Sequence, residues 1–267
     1  VFEPEPGINL HYDIAGEGAQ TLIVANAAML PDLEPLAVGR RLVVLHQRSR
    51  GASDRVADPD RMGPAQEAAD VVALADHLGL GTFALMGWSY VGFVAALCAA
   101  GHPARVSRLV LMCPAPPYQD PAWSAPAPPP EIAAALQRLR ESKDGGETRC
   151  REFHRLLQLW RMGDPAAATR SPADPCQYEN EWPERTAETM QAVWRSREKI
   201  ELRSLLPSIA APTLVVHGDE DIIPLEGSEA YERLIPEARL LRLPGVGHYP
   251  HLERPDVFFP AVDTFLR

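Results

Sequence analysis

A chain of 267 residues, 46% apolar and 23% charged, is long enough for one large core with an inserted subdomain. Its formal charge of −10, with no Lys/Arg stripe interleaved with aromatics, speaks against a phosphate backbone as partner. No run approaches the ~18 uninterrupted apolar residues of a membrane span, so neither nucleic acid nor membrane is an expected partner.

The N-terminal stretch VFEPEPGINL lacks the basic start and apolar run of a secretory signal. Short β-type runs follow. INLHYDIAG, TLIVAN and RRLVVLHQ each read as a strand bounded by Gly, Pro or Asn, with AAMLPDLEPLAVG between the second and third. MGPAQEAADVVALADHLGLG carries apolar residues at helical spacing and stops on glycine. TFALMG then reads as a strand, VGFVAALCAAG as a helix and SRLVLMC as a strand. The alternation predicts right-handed crossovers and an α/β fold with a mostly parallel sheet flanked by helices.

After Cys113 the alternation breaks. PAPPYQDPAWSAPAPPPE is too rich in proline to continue a regular element. Three helical stretches follow: EIAAALQRLRES, TRCREFHRLLQLWRMG and PERTAETMQAVWRSREKI. The alternation returns at Pro212 with the strand TLVVHG, the helix LEGSEAYERLIP, the strand ARLLRLPG and the helix PDVFFPAVDTFL. The expected layout is a core of residues 1–113 and 206–267 interrupted by a helical insertion of residues 114–205.

Acyl transfer by a serine needs a hydroxyl, an imidazole to take its proton and a carboxylate to orient the imidazole. Open α/β sheets place such groups beyond the carboxyl ends of their strands. Ser89 follows TFALMG, Asp221 follows TLVVHG and His248 follows ARLLRLPG, so all three stand at strand ends in the order Ser, Asp, His. In HGDED the carboxylates Asp219 and Glu220 compete with Asp221 for the acid role.

Four motifs in register resemble the α/β-hydrolase family: GWSYVG its nucleophile elbow, HGDED its acid loop, PGVGHYPHLERP its histidine loop and QRSRGASD its R-G-x-G-x-S turn. The resemblance spans nearly the whole chain, and the insertion falls where members carry a helical lid. It implies a serine hydrolase acting through an acyl-enzyme on Ser89, with backbone N–H groups of Ala28 and Tyr90 as oxyanion donors. A carboxylic ester or lactone of a small apolar or aromatic compound is the implied substrate. Asn26, Trp88, Trp123, Tyr178 and Trp182 are the expected pocket residues. The family pattern implies no cofactor, and His248 with His251 lacks the third ligand and helical register of a metal site.

Three departures from the family pattern stand out. Asn26-Ala27 replaces the usual His-Gly, Ser49 replaces the first glycine of the R-G-x-G-x-S turn, and Val91 stands where Gly or Ala is usual. Gly92 is expected to provide the close helix packing one residue later. Two other readings stay open on the same fold. One is a proline iminopeptidase-like aminopeptidase gripping an ammonium with Glu179, Glu181 or Glu184, acids that equally suit a helix N-terminus. The other is a non-hydrolytic role in C–C cleavage, acyl transfer or ligand binding. Of four cysteines, Cys98 and Cys113 lie in apolar runs and Cys150 and Cys176 show no C-x-x-C spacing, so a cytoplasmic, reducing setting is expected.

Overall fold

The computed structural model describes residues 1–142 and 145–267. Strands β1 (Phe2–Glu5) and β2 (Ile8–Leu10) form a small antiparallel hairpin. The central sheet contains β3 (Tyr12–Ala15), β4 (Thr21–Val24), β5 (Arg41–Leu45), β6 (Phe83–Trp88), β7 (Val106–Met112), β8 (Thr213–Gly218) and β9 (Ala238–Leu243). Their spatial order is β3-β5-β4-β6-β7-β8-β9, with β3 antiparallel to its neighbour and every other pairing parallel. INLHYDIAG, expected as one strand, is two: β2 pairs with β1 and β3 with β5. The break at His11 lets one extended run serve two sheets, and alternation of side chains carries no information about the partner.

The helices are α1 (Leu30–Leu33), α2 (Pro64–His77), α3 (Tyr90–Gly101), α4 (Pro130–Glu141), α5 (Gly146–Arg161), α6 (Pro183–Arg197), α7 (Leu225–Leu234), α8 (Pro250–Glu253) and α9 (Pro255–Leu266). Two buried apolar layers sandwich the sheet, one including Val71, Leu74, Phe93 and Tyr231, the other Leu33, Leu36, Phe258 and Val262. Central strands are buried on both faces, which is why β4, β6 and β8 read as near-continuous apolar runs. Helices α4 to α6 form the insertion between β7 and β8. Cys150 on α5 is disulfide-bonded to Cys176 ahead of α6, a pairing the sequence spacing did not suggest, whereas Cys98 and Cys113 are free and buried. None of the described helices is long and apolar enough to cross a membrane.

Candidate active site

Strand β6 ends at Trp88 and α3 begins at Tyr90, leaving Ser89 alone to reverse the chain at φ 58°, ψ −127°. A non-glycine residue in this region is strained, and the neighbours hold it there. The Ser89 N–H donates to Met112 O at 3.0 Å, and Ser89 O accepts from Gly92 N at 3.0 Å and Ala115 N at 2.8 Å. Asn26 clips the residue before it: the Trp88 N–H donates to Asn26 Oδ1 at 3.0 Å, and Asn26 Nδ2 donates to Trp88 O at 3.5 Å. The asparagine in place of the usual histidine therefore ties the loop after β4 to the elbow. Two residues on, Ala28 is also left-handed, at φ 63°. Ser49, replacing a glycine, keeps a left-handed φ of 59°, and its Oγ accepts from Val56 N at 2.9 Å.

The elbow accommodates Val91. Its side chain is 4% exposed and belongs to the core layer beneath the sheet. Gly92 takes the close contact: a Cβ there would lie 2.8 Å from Pro114 Cβ. Val91→Gly is therefore expected to lower stability by about 1.5–3 kcal/mol, the loss from uncovering one buried valine, while Ser89 keeps its reactivity. Denaturant midpoints and the rate of covalent labelling check the two halves separately. A large gain in labelling would mean that the parent elbow is deformed.

Asp221 lies in the turn after β8 and His248 in the loop after β9. His248 Nδ1 meets Asp221 Oδ1 at 2.9 Å and Oδ2 at 3.0 Å, with the aspartate side chain 0% exposed. Burial works against ionisation of Asp221. Attraction to His248 and the hydrogen bond from it, helped by His217 and the Ile223 N–H, outweigh that cost and hold the carboxyl below its usual range. Asp219, two residues earlier, is exposed and accepts from Gly245 N at 2.7 Å instead. The histidine loop is fastened from behind. Glu253 accepts from the N–H groups of Gly247 and Tyr249, either side of His248, and from Gly163 and Asp164 just after α5. The His248 N–H donates to Arg161 O at 2.7 Å, and Trp88 Nε1 donates to His248 O at 2.9 Å.

Ser89 and His248 line one cavity of about 1070 Å³, bounded by the sheet edge and the inserted helices. Among the described residues the Ser89 hydroxyl makes no hydrogen bond, as is common for a catalytic pair without substrate. Asn26, Ala28, Trp88 and Tyr90 line the same cavity. Trp123, Tyr178 and Trp182 are absent from its lining. Trp123 packs on Tyr118, Tyr178 on His46, and Trp182 Nε1 donates to Cys176 O. Trp160 and Trp194 face the cavity in their place.

A second serine–histidine contact lies behind the acid. Ser228 Oγ is 2.8 Å from His217 Nδ1, and His217, Cys113 and Asp221 bring ligand atoms within 4.8 Å of one another. Ser228 is 0% exposed and, like His217, stands outside the cavity lining. A hydroxyl sealed from substrate cannot attack it, so this pair buttresses Asp221 from the sheet side. Two further groups have metal-like spacing. In one, Cys150 and Cys176 with His154, the sulfurs are bonded to each other. In the other, His11, Asp13 and His46, the His46 Nδ1 already accepts from Ala52 N and its Nε2 faces Asp13. His251 contacts Asp32 rather than sharing a centre with His248.

A serine raised on a strained strand–helix turn above the carboxyl edge of a parallel sheet is how one broad class of hydrolases presents its nucleophile. The family model described as the alpha/beta hydrolase fold matches residues 16–255, and the chain belongs to that family. The mouse protein named serine hydrolase BPHL is 26% identical over 275 residues, covering 98% of this chain and 84% of that protein. A pimeloyl-[acyl-carrier protein] methyl ester esterase of Aromatoleum aromaticum is 30% identical over 182 residues, or 68% of this chain and 72% of the esterase. Among solved structures, a thermophilic esterase from Thermogutta terrifontis, with malate bound, matches at a TM-score of 0.70 and 25% identity. That match covers 98% of this chain and 94% of the other.

Proposed function

We propose that the chain hydrolyses a carboxylic ester or lactone through an acyl-enzyme on Ser89. The observation that carries this reading is the shared cavity: Ser89 on its strained turn and His248, bonded through Nδ1 to Asp221, open onto the same space. With Asp221 accepting at Nδ1, Nε2 is left free to take the serine proton and to return it to the leaving alcohol. The N–H groups of Ala28 and Tyr90 are the oxyanion donors in this reading, since the left-handed Ala28 and the first residue of α3 both border the cavity. The esterase names of the relatives point the same way.

Residues 114–205 are the lid over a core of 1–113 and 206–267 in this proposal. Trp160 and Trp194 then supply the aromatic walls that the sequence assigned to Trp123, Tyr178 and Trp182. Trp160→Ala is expected to change the ranking of acyl chain lengths at least fivefold, read as kcat/KM over a series of aryl esters. A fall in melting temperature with an unchanged ranking would reduce Trp160 to packing.

Glu181 and Glu184 line the cavity, as the aminopeptidase reading needs, but an arginine stands against each of them. The Glu181 carboxylate is buried and paired with Arg50 Nε at 3.0 Å and Nη2 at 2.6 Å, while Glu179 pairs with Arg185 and Glu184 lies 3.7 Å from Arg149. Hydrolysis of a neutral aryl ester beside an aminoacyl arylamide tests the choice, and a strong preference for the arylamide would overturn it. A cytoplasmic setting rests on the free, buried Cys98 and Cys113, whereas the Cys150–Cys176 bond favours an oxidising one. Alkylation in lysates followed by thiol counting decides between them.

A further inference from the structure

Glu67, in the first turn of α2, is 5% exposed and lines the cavity. Its Oε1 accepts from the Tyr90 hydroxyl at 3.3 Å, and its Oε2 is buried with no partner among the described residues. Arg50 lines the same cavity. Glu181 engages its Nε and Nη2, but among the described residues Nη1 has only the thioether of Met190, at 3.7 Å. A buried polar atom without a partner is costly, and such atoms in the wall of a binding cavity are the places a ligand completes. We propose that Glu67 and Arg50 form a polar subsite that takes a hydrogen-bond-accepting oxygen, a ketone or a carboxylate, on the substrate away from the scissile carbonyl. The proposal rests on the reading of Ser89 as nucleophile in this cavity.

The electrostatics fit an oxygen acceptor. Burial, with Asp70 on the same helix, pushes the Glu67 carboxyl up to about 8. The hydrogen bond from Tyr90 on α3, and Arg50 and Arg48 from the turn after β5, pull the other way. Below that pH Glu67 is neutral, and with Oε1 taken by Tyr90 its proton resides on Oε2. A ligand oxygen meets the Arg50 Nη1–H at the cavity wall, and the Oε2–H becomes a second donor once the Glu67 side chain turns that sealed oxygen toward the ligand. Above about 8 the carboxylate ionises, loses its donor and repels a carboxylate ligand. Arg50 keeps its charge throughout, offset by Glu181. The subsite connects to the reacting centre through Tyr90, whose side chain holds Glu67 and whose backbone follows Ser89.

The test compares 4-nitrophenyl pentanoate, 4-oxopentanoate and hemiglutarate, with acetate esters carrying the same groups on the alcohol. At pH 7 at least one oxygenated ester is expected to show a KM roughly tenfold below its plain partner, the value of one good hydrogen bond. The ketone and carboxylate arms identify which oxygen is preferred. That advantage should fade between pH 7 and 9. Glu67→Leu should remove it, and Glu67→Gln, which keeps a donor, should retain it without the pH dependence. Equal KM values across the parent's panel, or an advantage that survives Glu67→Leu and stays flat with pH, would overturn the subsite. If Glu67→Leu does not fold, the pH profile of Glu67→Gln decides alone. Failure of the nucleophile reading looks different. No ester turns over, yet Ser89→Ala still binds the amide analogue of the oxygenated ester more tightly than the plain one by calorimetry.

Discussion

Ser89→Ala is expected to abolish labelling by a fluorophosphonate and to lower ester turnover by several orders of magnitude. The residual rate would come only from binding and oxyanion stabilisation. The expectation follows from geometry: among the described serines, Ser89 combines a strained elbow with access to the cavity that His248 lines. Ser228 is the internal control, because it also sits beside a histidine but has no exposed surface. Ser228→Ala should keep the label on Ser89 and lower stability modestly, having left His217 without its hydroxyl partner. Mass spectrometry of the adduct separates the outcomes, and a label that persists in Ser89→Ala would falsify the assignment.

Asp221→Asn is expected to reduce turnover by roughly 10⁴, because an amide facing Nδ1 favours the wrong imidazole tautomer. Asp219→Asn should change turnover by less than threefold, since Asp219 only caps the Gly245 N–H in the neighbouring loop. The pH dependence has a definite sign. Asp221 is held below its usual range by His248 despite burial, so its ionised form persists as pH falls through ordinary carboxylate values. The acid limb of kcat/KM should therefore carry no contribution from protonation of Asp221 within the ordinary carboxylate range. A reversal of the two aspartate effects would move the acid by two residues.

The three residues at strand ends were legible because each stands where an apolar run stops, and the parallel sheet turns those stops into one edge. Within HGDED it is Asp221 that reaches His248 and Asp219 that turns to Gly245, since residues two apart in a turn point to unrelated places. The helical insertion was legible as an interruption but not as a surface. Trp160 and Trp182 both read as aromatics of the insertion, yet only the packing of α5 and of the turn before α6 decides that Trp160 meets the cavity while Trp182 bonds Cys176 O. Glu67 was invisible for a related reason. An acid in the first turn of an amphipathic helix ordinarily faces water and the helix dipole, and nothing in GPAQEAAD tells that α3 and the turn after β5 will cover it. The Cys150–Cys176 bond joins residues 26 apart, too distant for spacing alone to declare.

The carboxylate of Glu253 has a mechanical consequence. It holds the N–H groups at the end of α5 and those flanking His248 in one grip, and the backbones there touch so closely that a Cβ on Gly247 would lie 2.3 Å from Arg161 O. Swinging the end of α5 away from the sheet would drag the imidazole out of register with Ser89. That end of α5 is consequently fastened to the histidine loop. At the other extreme α4 buries none of its residues, although Leu136, Leu139 and Arg140 reach the cavity wall. α4 is thus held by less buried side chain than α5, which buries Cys150 and Leu156, and its amide hydrogens should exchange sooner than those at the end of α5.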